Sequence, residues 1–147
     1  KALTETLARG EKLPVNLAGE TIYYLGPTPA KPGQAIGAAG PTTSGRMDKY
    51  TPTMINEVGI NGMIGKGYRS EAVVEAMKKS GCVYMVAIGG AGALISQSIK
   101  KYEVLAYPEL GPEAVARLTV EDFPAIVAID SEGNNFYEAG QAPYKKI

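Results

Sequence analysis

Sixteen residues, Gly26 to Pro41, hold four prolines and four glycines, and no other stretch of the chain restricts its fold so severely. Proline fixes φ and has no N–H to donate, so neither a helix interior nor an inner strand can run through such a segment. The chain must therefore leave the β-branched and aromatic run Thr21-Ile22-Tyr23-Tyr24-Leu25 and enter a long loop. In a domain of this size a loop that long is usually either functional or disordered. It leads straight into the most distinctive peptide of the sequence, Gly40-Pro41-Thr42-Thr43-Ser44-Gly45-Arg46-Met47-Asp48, so an ordered loop is expected.

Periodicity sets out the rest. Leu3 and Leu7, four apart and followed by Gly10, predict a short amphipathic helix at the start. Thr51 as N-cap and Pro52 at the first helical position predict a second helix ending at Gly59. Ser70 to Ser80 is the clearest helix, with Val73, Val74 and Met77 on one face and Gly81 as its stop. Strands are expected at Thr21–Leu25, Gly62–Gly65, Val83–Ile88, Tyr102–Tyr107, Leu118–Phe123, Ala125–Asp130 and Asn135–Tyr137, with Ser131-Glu132-Gly133-Asn134 as a hairpin-type turn. Alternation in the middle and a strand-rich final third predict one α/β domain, residues 1–147, built on a mixed sheet with helices on one side.

The composition excludes several function classes. Lys+Arg and Asp+Glu balance at 15 each, which leaves no electrostatic case for nucleic acid or an anionic membrane. No apolar run approaches the ~18 residues that span a bilayer. The chain has no histidine, which removes Ser-His-Asp triads and histidine-based zinc sites. Its one cysteine, Cys82, stands in the apolar run Cys82-Val83-Tyr84-Met85-Val86 and reads as a reduced core thiol, consistent with a cytoplasmic location. One cysteine can form neither an internal disulfide nor a cysteine-ligated cluster within this chain, and no metal ligands are assigned to it.

Three peptides carry chemistry. In Gly40–Asp48, glycines permit close backbone approach, hydroxyls come from Thr42, Thr43 and Ser44, and Arg46 offers a planar fork that matches a carboxylate. A helical turn over Ser44–Asp48 would add free N–H groups. This is an anion site for a carboxylate or a phosphate, without the Gly-Lys-Thr ending of a P-loop. Asp48 either caps a helix or orients Arg46. Ile64-Gly65-Lys66-Gly67 sets an ammonium between glycines at a strand end, and Gly89-Gly90-Ala91-Gly92 is either a ligand wall or a tight strand-to-helix packing point.

These peptides, with Gly26-Pro27-Thr28-Pro29-Ala30-Lys31-Pro32-Gly33 and Val120-Glu121-Asp122-Phe123-Pro124-Ala125, resemble the C-terminal domain or β subunit of class I fumarases. The related L-tartrate dehydratase β subunit shares much of the pattern. The likeness covers nearly the whole chain, and Gly40–Asp48 is its most specific part. It implies a swivelling β/β/α-type fold and a hydro-lyase that interconverts fumarate and (S)-malate. It also implies a 4Fe–4S cluster held by three cysteines of a partner α subunit, with the substrate lying between the two. Carried over by position, Thr42 matches the catalytic base, Arg46 an arginine that binds the carboxylate near the cluster, and Lys66 a lysine that binds the distal carboxylate. Thr43 and Asp48 fall next to them as second-layer candidates. The family also carries an Arg-Asp-x-Ala-His peptide ahead of the first helix. This chain starts just after that point, so it is expected to lack one substrate ligand and the first strand of its domain.

The resemblance thus implies a β subunit or domain that is active only with its iron–sulfur partner, in a homodimer or an α2β2 assembly. L-Tartrate dehydratase is the alternative within the class. A non-catalytic anion-binding or assembly module is the alternative outside it.

Overall fold

Three short apolar runs that end in glycine or a loop form the parallel half of the main sheet. The computed structural model describes residues 1–145. In chain order the elements are α1 (Ala2–Ala8), β1 (Thr21–Tyr23), α2 (Thr51–Thr53), β2 (Gly62–Gly65), α3 (Glu71–Ser80) and β3 (Val83–Val86). They are followed by α4 (Gly92–Ile95), β4 (Ile99–Ala106), β5 (Val115–Val120), β6 (Ile126–Ile129) and α5 (Phe136–Ala139). The main sheet runs β1-β2-β3-β6, with β1, β2 and β3 parallel and β6 antiparallel to β3. Strands β4 and β5 form a separate antiparallel ribbon. This is the mixed α/β domain expected from the sequence.

Register explains where the core sits. Ile22, Met63, Tyr84 and Ile129 are successive cross-strand neighbours, so they share one face of the sheet. Against that row pack Val73, Ala76 and Met77, spaced three and four apart on α3, with Ile55 and Leu17. Met63, Tyr84, Ile129, Val73 and Met77 are fully buried, each contributing about 1.5–3 kcal/mol as an upper bound. Gly81 closes α3 in the left-handed conformation, its N–H donating to Met77 O.

The Pro/Gly loop is ordered by its own bonds. Thr28 N–H donates to Ala38 O, Gly37 N–H to Thr28 O, and Ala38 N–H to Thr28 Oγ1. Ile36 and Ala39 then join Ile99 in a second cluster, with Leu25, Tyr102, Leu118 and Phe123 around it. The loop is thereby fastened to the β4–β5 ribbon.

Several sequence expectations need correction. Thr51 is not an N-cap: Tyr50 holds that position, and the Thr51 hydroxyl instead donates to Met47 O at 2.9 Å. The helix beyond α2 continues as a π-helical turn, Met54–Val58, before Gly59 stops it. Strand β4 begins three residues earlier than predicted, and β5 begins three residues before the predicted Leu118 and ends at Val120 instead of Phe123. Asn135–Tyr137 is not a strand. The turn before it forms as expected, but the Asn135 side chain accepts the Tyr137 N–H and starts α5; its capping outweighs the β-propensity of Phe136 and Tyr137.

Candidate functional site

Parallel strands place their carboxyl ends along one edge of a sheet, where α/β domains bind ligands. All three chemical peptides lie at that edge. Lys66 follows β2 directly, and Gly89–Gly92 follows β3. The Gly40–Asp48 peptide is stitched to them by backbone bonds: Thr42 N–H to Tyr24 O (2.8 Å), Lys66 N–H to Thr42 O (3.2 Å) and Ser44 N–H to Lys66 O (3.0 Å). Thr43 and Lys66 form a parallel bridge. Residues 24 apart in sequence are thus neighbours in space.

Glycine makes the approach of the loops feasible. A Cβ on Gly92 would stand 2.8 Å from Gly40 N, and Ala39 N–H donates to Gly92 O at 2.9 Å. A Cβ on Gly89 would lie 3.5 Å from Lys66 Nζ, which places the ammonium against the β3–α4 loop. Of the two readings of Gly89–Gly92, close packing is the one these contacts support directly.

The side chains divide into an outer and an inner set. Thr42, Thr43, Arg46 and Lys66 are exposed. Among the described residues, neither Arg46 nor Lys66 takes part in an ion pair. Such cations are open to an anionic ligand. Ser44, by contrast, is fully buried and does not offer its hydroxyl at the surface as the sequence reading expected. Its turn, Ser44–Met47, is one four-residue 3-10 turn, too short to sum a useful dipole.

Beneath the exposed set lies a polar layer that the sequence reading missed. Tyr84, from β3, reaches up so that its hydroxyl stands 3.0 Å from Ser44 Oγ and donates to Gly67 O at 3.0 Å. Arg69 is buried, with its side chain 0% exposed and Nε 2.7 Å from Asp48 Oδ1. It also donates to Thr51 Oγ1 at 3.0 Å, contacts Met63 Sδ, and stacks 4.8 Å over the Tyr84 ring. The other Asp48 oxygen accepts the Ser70 N–H at 2.6 Å. Asp48 therefore pairs with Arg69 instead of Arg46, and its second oxygen holds the N–H of Ser70, the N-cap residue of α3. No buried side-chain nitrogen or oxygen among the described residues lacks a partner. The only sequence hint of this layer is an arginine next to an N-cap serine, and its partner is 21 residues away.

Burial pushes the Tyr84 phenol and the Cys82 thiol upward from their ordinary values. Cys82 is fully buried in the core, and no three His, Cys, Asp or Glu side chains among the described residues are grouped to hold a metal. One buried thiol and no imidazole do not match the donor set of an iron–sulfur cluster. Among the described residues, one concavity lies beside Leu7, Leu13 and Val58 and another beside Glu71, Lys78 and Glu138. Thr42, Arg46 and Lys66 are each exposed and line neither concavity. No described helix is long and apolar enough to cross a membrane.

Comparison with known proteins follows the same lines. The sequence model of the Fumarase C-terminus family matches residues 1–140. "Fumarate hydratase class I, aerobic" of Salmonella typhimurium is 45% identical over 141 residues, covering 95% of this chain and 24% of that protein. "Fumarate hydratase 2" of Leishmania major is 43% identical over 92% of this chain and 24% of its own length. "Putative L(+)-tartrate dehydratase subunit beta" of Methanocaldococcus jannaschii is 38% identical, covering 99% of this chain and 77% of that protein. The chain thus spans about a quarter of the fumarate hydratases it matches.

Proposed function

This chain belongs to the Fumarase C-terminus family, and from that premise we propose that it is the substrate-gripping domain or β subunit of a hydro-lyase that reversibly hydrates fumarate to (S)-malate. The observation that carries the reading is the pairing of the Thr42–Ser44 and Lys66 backbones. It supports the reading by holding the backbone that carries Thr42 and Thr43 against that of Lys66, with Arg46 exposed two residues beyond Ser44 and, among the described residues, neither cation engaged in an ion pair.

Dehydration of malate removes a proton from C3, and negative charge then builds on the carboxylate attached to that carbon. A fixed cation there lowers the barrier more than one that binds both states equally. Lys66 takes this distal carboxylate and Arg46 the other, as a two-oxygen fork. Thr42, as the alkoxide that neighbouring cations favour, takes the C3 proton, and the C3–H electron pair becomes the C2–C3 double bond as the C2 hydroxyl leaves. An alcohol is a weak base at neutral pH, so Thr42 depends on the cations held around it. The Lys66 N–H bond to Thr42 O keeps Lys66 adjacent.

The 4Fe–4S cluster belongs, in this reading, to a partner α subunit or to the remainder of a longer polypeptide. It supplies Lewis-acid chemistry at the leaving hydroxyl. The exposure of Thr42, Arg46 and Lys66 suits a site completed by a second surface. We further propose a cytoplasmic enzyme, assembled as a homodimer or as α2β2.

The test is anaerobic assembly with the iron–sulfur partner, followed by a malate-formation assay. Arg46→Ala is expected to lower kcat/KM by about 100-fold or more, with folding intact because Arg46 is exposed. Full activity in Arg46→Ala would refute the assignment. L-Tartrate dehydration is a second reading, favoured by the likeness over 77% of the tartrate dehydratase subunit. The ratio of kcat/KM for malate and L-tartrate, measured in competition, separates the two.

A further inference from the structure

We infer that Tyr84 is a positioning residue: through Ser44 and Gly67 it sets the spacing between the Thr42/Arg46 loop and Lys66. The inference rests on the proposed dicarboxylate site and deepens it.

Tyr84 lies at the centre of the sheet with no exposed surface, so its hydroxyl is costly to bury unless it is bonded on arrival. It meets Gly67 O, one residue beyond Lys66, and Ser44 Oγ, midway between Thr42 and Arg46. A phenol has one proton, and the Gly67 carbonyl can only accept. Tyr84 therefore donates to Gly67 and receives the Ser44 proton, which makes a directed chain from one loop to the other. Gly65 leaves the room this requires, since a Cβ there would collide with Ser44 Oγ. The ring is held from its other side by the Arg69 guanidinium at 4.8 Å, and Arg69 grips Asp48, two residues past Arg46. One tyrosine thus touches the supports of all three exposed residues without reaching the surface. A residue needed only to fill the core at this point could be phenylalanine.

The backbone bonds between Thr42, Ser44 and Lys66 keep the loops adjacent without Tyr84. They do not stop the two loops from rocking about that seam, because both bonds lie along it. The Tyr84 hydroxyl is the tie below the seam.

The experiment uses the enzyme assembled with its iron–sulfur partner and compares Tyr84→Phe and Ser44→Ala with the unmodified protein. Tyr84→Phe is expected to raise KM for fumarate about tenfold and to change kcat less than threefold. A loss of folded protein alone would lower the apparent kcat and leave KM unchanged. Ser44→Ala, which leaves the ring in place, is expected to raise KM in the same sense, and the double variant should be no worse than Tyr84→Phe alone. Hydrogen exchange at the Ser44 and Lys66 amides should speed up at least tenfold in Tyr84→Phe. Unchanged KM in both single variants, or unchanged exchange at both amides, overturns the inference. If the unmodified assembly does not hydrate fumarate, the functional reading fails first and the exchange result still decides the structural tie. If Arg46→Ala is impaired while Tyr84→Phe is normal, only the inference about Tyr84 fails.

Discussion

Replacing Arg69 by methionine removes the cation from the layer under the site and keeps most of the side chain's bulk. Arg69 has no exposed side-chain surface, and Asp48 is 13% exposed. After the substitution Asp48 keeps only the Ser70 N–H, and a nearly buried carboxylate is left without its counter-charge. Breaking one side of such a pair costs about 3–5 kcal/mol. For a domain of this size each kcal/mol lowers Tm by about 2–4 °C, so a fall of about 6–20 °C is expected. Thermal unfolding followed by circular dichroism measures the fall in Tm, and urea unfolding the free-energy cost, since the chain has no tryptophan. The decisive comparison is Asp48→Asn combined with Arg69→Met. Asparagine still accepts the Ser70 N–H and carries no charge, so the double variant should be more stable than the two single losses added together, with a coupling of about 2 kcal/mol. A cost under about 1 kcal/mol for Arg69→Met, or strict additivity, would refute the reasoning.

Three further outcomes follow from the same geometry. Gly65→Ala introduces a Cβ into the buried Ser44 hydroxyl, so it should cost about 1–3 kcal/mol and impair activity together with stability in the same unfolding and rate assays. Gly92→Ala presses on the Gly40 backbone, which cannot rotate away as a side chain can; activity should fall more than stability, and equal falls would count against close loop packing as a requirement of the site. Burial raises the Cys82 thiol above its ordinary 9.0 and the Tyr84 phenol above 10.0, so the folded state favours both neutral forms. That contribution to stability is complete below the unfolded pKa values and is lost as pH rises through the raised ones. Urea midpoints should therefore hold steady to about pH 8.5 and decline above it, and Cys82 should react with a thiol reagent only after unfolding.

Local chemistry is what the sequence conveyed well. Gly81 after an apolar face at three- and four-residue spacing marked the end of α3, and the glycine-bounded runs marked β2 and β3, because each signal and its cause lie within one element. The conjunction of Thr42, Arg46 and Lys66 came from a family resemblance; in the structure the Lys66 N–H bonds to Thr42 O, and Thr43 is the residue paired in register with Lys66. What could not be read was the layer beneath them. Arg69 is buried only because Asp48, Thr51 and Tyr84 surround it, and nothing near position 69 distinguishes it from a surface arginine. Ser44 looked like one more hydroxyl of the anion loop, and its inward direction depends on Gly65 and Tyr84, 21 and 40 residues away. The failure at Asn135 had a different origin. A capping side chain and a strand-prone pair compete there within three residues, and tertiary context chose the cap.

The central claim is that Thr42, Arg46 and Lys66 close on one four-carbon diacid. A crystal structure of the iron–sulfur assembly with malate or fumarate bound measures it directly. The account predicts Lys66 Nζ and the Arg46 guanidinium within hydrogen-bond distance of opposite carboxylates, and the Thr42 hydroxyl next to C3. A diacid bound away from this edge of the sheet, or one that leaves either cation facing solvent, would contradict it.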